Sequence, residues 1–158
     1  MIKQQLIKDI LRILQKEMQG AISAAQQAHD GATHEQSKAE TQYDTLGLEH
    51  AYLAQGQSRR INELVHAISL LENWKVESFT QDDEIYLGAL VTLLNTHSKQ
   101  FLHIFIAPSG GGVNIELNKV NYQVITAQTP LGQSLIGLTV GETVLLNNGQ
   151  PLEITQLI

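Results

Sequence analysis

Apolar residues in the first part of the chain recur at heptad spacing. Ile7, Leu11, Leu14, Met18, Ala21, Ala25, Ala28 and Ala32 are separated by four and three residues in alternation. A seam held that long predicts a helix over about 3–33. A second seam, Ile61, Leu64, Ile68 and Leu71, predicts a helix over about 45–73. Leu48 and Tyr52 precede it, but Gln55-Gly-Gln-Ser-Arg-Arg60 interrupts with no heptad of its own and reads as a stutter or a loosened turn. Neither helix buries its stripe alone, so antiparallel pairing into a hairpin is the economical arrangement, with arms of roughly 45 Å at about 1.5 Å per residue. Pairing with a second chain is the alternative.

Beyond residue 83 the period changes. Residues 85–94 form an apolar, β-branched run, and 101–107 a second one stopped by Pro108 and Ser109-Gly-Gly-Gly112. Shorter strands are predicted at 113–117 and 122–126. Residues 140–146 and 152–158 flank Asn147-Asn-Gly149, a hairpin signal because two residues there can take positive φ. Between the strands at 122–126 and 140–146, residues 129–137 predict one short helix, with Thr129 as N-cap, Pro130 at its first position and Gly137 as its stop. The expected class is α+β: an N-terminal antiparallel coiled-coil hairpin over 1–76, a polar linker at 77–83, and an antiparallel β-domain with one short helix over 83–158.

Composition supports that division and narrows the chemistry. Residues 1–76 carry eight basic and nine acidic side chains and no proline, whereas 77–158 hold all three prolines, two lysines and seven acids. The net charge of −6 argues against nucleic-acid binding by bulk electrostatics. With no cysteine, disulfides, thiolate metal sites and cysteine nucleophiles are excluded. No apolar run approaches the roughly 20 residues that span a bilayer, and Met1-Ile-Lys-Gln-Gln begins no signal-peptide core. A cytoplasmic protein without a membrane partner is expected. Ser109-Gly-Gly-Gly112 lacks the Lys-Ser/Thr of a phosphate loop and reads as a turn.

The stretch between the seams, 30–44, with the tip at about 33–45, is acidic. Asp30, Glu35, Glu40 and Asp44 face a single base, Lys38. Such a tip can simply be solvated, and Thr41 or Asp44 can cap the second helix. It can also carry carboxylates to a distant site, where hard oxygen ligands suit Mg²⁺. His29 and His34 stand five residues apart, which points them in different directions on a helix, so they read as structural or solvated. No role is assigned to His97 or His103.

The run Thr129-Pro-Leu-Gly-Gln-Ser-Leu-Ile-Gly-Leu-Thr-Val-Gly-Glu-Thr-Val144 resembles the GreA/GreB transcript cleavage factor family, which reads Ser-Pro-Leu-Gly-Arg-Ala-Leu-Leu-Gly-Lys-x-Val-Gly-Asp-x-Val there. The order of helical hairpin, strand, motif and C-terminal hairpin agrees as well. The resemblance implies an FKBP-like β-domain that docks on RNA polymerase near its secondary channel, with Thr129, Pro130, Leu131 and Gln133 on the docking side. It also implies a coiled-coil tip that enters the channel, its acids sharing a Mg²⁺ with the polymerase active site. The protein would then regulate elongation without being an enzyme or holding a cofactor or metal of its own. Two departures bear on this: residues 33–45 contain no Asp-x-x-Glu, and Gln133 stands where the family has Arg. Polymerase binding is therefore the firmer implication and stimulated cleavage the weaker. The alternative is a coiled-coil adaptor for a different partner. Prolyl isomerase activity, suggested only by fold analogy, would need a pocket lined from just eight aromatic residues.

Overall fold

The computed structural model describes the backbone of residues 1–33 and 46–158 and the side chains of 1–31 and 56–158. Helix α1 covers Ile2–Thr33 and α2 covers Leu46–Glu72. The region read as a stutter at 55–60 lies within continuous α2. A glycine inside a helix costs only about 1 kcal/mol against alanine, which Gly56 does not raise to a break. Six strands follow, β1 (Leu90–Asn95), β2 (Phe101–Ile106), β3 (Asn114–Leu117), β4 (Val120–Ile125), β5 (Thr143–Leu145) and β6 (Pro151–Leu157), with the short α3 (Pro130–Leu135) between β4 and β5. The class is α+β.

The chain divides into two compact units, Arg12–Ser69 on one side and Met1–Leu11 with Leu70–Ile158 on the other. In the first, the helices pair as the seams require. Leu14, Ala21, Ala28, Leu64 and Ile68 are buried, and the Arg60 guanidinium donates to the carboxylates of Glu17 on α1 and Glu63 on α2.

The second unit holds one sheet in the order β3-β4-β2-β1-β6-β5. Among the described residues four of its five pairings are antiparallel, while β2 and β4 run parallel, His103 beside Tyr122 and Ile106 beside Ile125. The expected all-antiparallel sheet is thus a mixed one. Between β2 and β4 the chain turns at Ser109–Gly112, lays down β3 on the outside and returns through Asn118 and Lys119, both at positive φ. That pair of left-handed residues fits the twist of a two-residue hairpin.

Strand β1 lies between β2 and β6 and is buried on both faces, Thr92 and Asn95 being buried along with Leu90, Val91 and Leu93. One face of the sheet presents Val91, Leu93, Ile104, Ile106, Leu152 and Ile154 to a core completed by Ile85, Leu135 and Val144. The alternation of a strand turns Phe105 the other way, where its ring centre lies 5.8 Å from that of Trp74. β1 begins at Leu90 rather than at 85. Gly88, at φ +97°, packs against Trp74 and Val76 and turns the chain just before the strand. In the Asn147-Asn-Gly149 turn, Gly149 alone has positive φ, at +77°, so one left-handed residue closes the hairpin rather than two.

Lys3 ties the first turn of α1 into this unit. Its buried ammonium donates to the carbonyls of Glu77 and Gly88, the latter at 3.0 Å, and lies 4.7 Å from the centre of the Phe79 ring. Burial lowers its pKa to about 8, against an opposing pull from the Glu77 carboxylate. The linker is therefore held at several points. Thr80 adds a local closure, its amide and hydroxyl both donating to Asp83 Oδ2 at 2.7 and 2.9 Å. Those bonds hold the Asp83 carboxyl below the usual carboxylate range.

Candidate functional site

Residues 129–142 fold as a sequence of local closures. Thr129 Oγ1 accepts from the Gly132 amide at 3.1 Å, capping α3, and its hydroxyl donates to the Thr126 carbonyl at 2.8 Å. Pro130 occupies the first turn, where its missing N–H costs nothing. Gly132 lets α3 lie directly on the preceding backbone, since a Cβ there would stand 2.2 Å from the Thr126 carbonyl oxygen. Gly137 leaves the helix at φ +84°, and its amide donates to the Ile85 carbonyl at 2.8 Å. Farther on, Thr139 donates through its amide and hydroxyl to Glu142 Oε2, while Gly141, at φ +95°, bonds to the Ile154 carbonyl of β6. Pro130, Gly132, Gly137 and Gly141, four of the residues by which this run resembles the Gre motif, are thus ones that its turns and close contacts demand.

The side chains left over for a partner are few. Pro130, Gln133 and Ser134 are exposed, Thr129 and Leu131 half-buried, and Leu135 is committed to the core. Pro130, Leu131 and Ser134 line one wall of an open groove of about 360 Å³, with Gln123 and Ile125 of β4 and the β5–β6 turn opposite. Leu145, at 68% exposure, is its most accessible apolar side chain. The groove has amide, hydroxyl and alkyl groups to offer, with neither an aromatic ring nor an ionised group among the residues that line it. It can seat a nonpolar surface and bond to it. Its two hydroxyls, on Thr129 and Ser134, have no ionisable side chain beside them among the lining residues to activate them.

Of the tip acids, Asp30 lies exposed near the end of α1, while Glu35, Glu40 and Asp44, like His34, fall outside the described residues. His29 is exposed on α1. Among the described residues no three His, Asp or Glu side chains gather as a metal ion would need, and no helix is long and apolar enough to cross a membrane. One polar cluster carried no sequence signal. His103 Nδ1 and Thr92 Oγ1 share a hydrogen bond of 3.2 Å, and the His103 ring lies 5.5 Å from that of Tyr122, whose hydroxyl burial pushes to higher pKa. The three come together only through the pairing of β2 with β1 and β4, which no local pattern encodes.

No protein-family model matches the chain, and no curated protein matches it. Among solved structures it is similar to the crystal structure of GreA factor homolog 1 (Gfh1) of Thermus thermophilus, at 20% identity and a TM-score of 0.39 over 94% of each chain. A structure of the transcription factor Gfh1 is similar at 19% identity and a TM-score of 0.38, over 97% of this chain and 91% of that one. Gfh1 of Thermus aquaticus is similar at 19% identity and a TM-score of 0.39, over 92% of each.

Proposed function

We propose that the protein is a Gre-like regulator of bacterial transcription elongation, which binds RNA polymerase at its secondary channel. The observation that carries this reading is the 129–144 run. It matches the Gre motif identically at eight of its sixteen positions, and it follows a paired helical hairpin in the same chain. In this reading the exposed Pro130 and Gln133 belong to the docking side of the β-bearing unit. The tip carboxylates Glu40 and Asp44, with Glu35 and Asp30 behind them, would offer oxygen ligands toward a Mg²⁺ of the polymerase active site. The protein itself performs no catalysis in this scheme. Because 33–45 holds no Asp-x-x-Glu, modulation of the polymerase takes precedence over stimulated cleavage.

A pull-down with RNA polymerase, followed by a cleavage assay on a backtracked complex, tests both halves. Retention of the polymerase is expected, and its absence would leave the adaptor reading, which the missing acid pair favours. Two further substitutions locate the contacts. Glu40→Ala with Asp44→Ala should abolish the effect on transcription while leaving binding and folding intact; equal activity would relegate these acids to solvation. Gln133→Glu should weaken binding and Gln133→Arg strengthen it, and unchanged affinity for both would remove α3 from the interface.

A further inference from the structure

The heptad seam places Ile7 and Leu11 toward a partner helix, yet the buried line at that end of α1 runs through Leu6 and Ile10 instead. Ile7 and Leu11 are left half-buried along an open groove of about 400 Å³, with Trp74 and Val76 on its far wall. Two exposed lysines, Lys8 and Lys75, stand on the rim and make no hydrogen bond or ion pair among the described residues; Glu72 is the acid beside them. The surrounding unit is acidic, with five lysines (3, 8, 75, 99 and 119) against nine carboxylates (9, 72, 77, 82, 83, 84, 116, 142 and 153). Two of those five cations therefore flank one apolar, tryptophan-bearing channel in an otherwise repelling field.

We propose that this groove docks an amphipathic helix of a protein partner, with the partner's apolar stripe on Ile7, Leu11, Trp74 and Val76 and its acidic flanks at Lys8 and Lys75. Aromatic anchors in a pocket supply most of the affinity of such contacts, and the rim charges select the partner and speed encounter. The groove is separate from the α3 surface, and this inference holds whether or not the polymerase reading does.

Trp74 is the chain's single tryptophan, so its fluorescence reports occupancy directly. The probe is a short, tryptophan-free helical peptide with a leucine stripe flanked by glutamates, compared with a twin carrying lysines in their place. Titrated into the full-length protein, the acidic peptide should shift Trp74 emission to the blue and saturate, and the basic twin should bind at least roughly tenfold more weakly. Lys8→Glu with Lys75→Glu should reverse that preference. Both lysines are exposed and unbonded, so the variant should keep its circular dichroism and melting point. Equal affinity for the two peptides, or no saturable shift with either, would overturn the proposal. So would a blue shift produced by raising the protein concentration alone, because the occupant would then be a second copy of this chain.

Discussion

A methyl group at Gly132 would meet the Thr126 carbonyl oxygen at 2.2 Å and the Thr129 hydroxyl oxygen at 3.0 Å. Backbone cannot swing aside as a flexible side chain can, so Gly132→Ala should destabilise the β-bearing unit by about 1–3 kcal/mol, read as a lowered denaturant midpoint. The sequence marks Gly137 as a helix stop, but nothing local shows that Gly132 is the point of closest approach. Lys3 was equally illegible, reading as one more charge in a first helical turn. Its folded-state pKa of about 8 lies below the ordinary 10.5. At pH 7 both folded and unfolded forms carry the proton, and folding bears the cost of burying it. Between about pH 8 and 10.5 the folded form gives up the proton first, so stability rises with pH in that window. Measured by chemical denaturation, wild type should therefore gain on the order of 1–3 kcal/mol relative to Lys3→Met across it. A difference that stays flat over that range would refute the assignment.

Among the elements, periodicity served helices better than strands. Both helices end within a residue or so of where the seams place them, because heptads record the neighbour a helix needs. The register of α1 follows the seam from Leu14 onward and departs from it before that, where residues 1–11 belong with the sheet. Five of the six strands were legible to within three residues, whereas β1 starts five residues later than expected. The parallel β2–β4 pair was not, since strand direction is a property of the crossover rather than of either strand. Turn chemistry was half legible. Gly149 carries the positive φ at the β5–β6 hairpin, while the Asn148 carboxamide accepts from the Gln150 amide at 3.0 Å. Gly149→Ala should accordingly cost about 1 kcal/mol, and Asn147→Ala close to nothing, in paired thermal melts.

At the scale of the molecule, composition marks where helices give way to strands, but it does not mark which residues stabilise one another. The first eleven residues share a unit with 70–158, supplying Lys3, Leu6 and Ile10 to it. A fragment of residues 83–158 lacks them along with Leu71 and Trp74, leaving Phe105 without its aromatic neighbour. Such a fragment should melt broadly, or well below the full chain, by circular dichroism. A sharp transition at the full-length midpoint would show that the sheet needs none of them.

The position of β1 in the sheet also sets an order of events during synthesis. Leu90 and Ile158 exchange a pair of backbone hydrogen bonds of 3.0 Å each, and Val91 stands opposite Leu157. On the ribosome, residues 12–69, which form a compact unit of their own, emerge early. β1 leaves the exit tunnel with only β2 to pair with, and waits for nearly the whole remaining chain before β6 arrives. Throughout that interval an apolar edge stands open to other nascent chains, and a chaperone that shields extended segments would have its opportunity there.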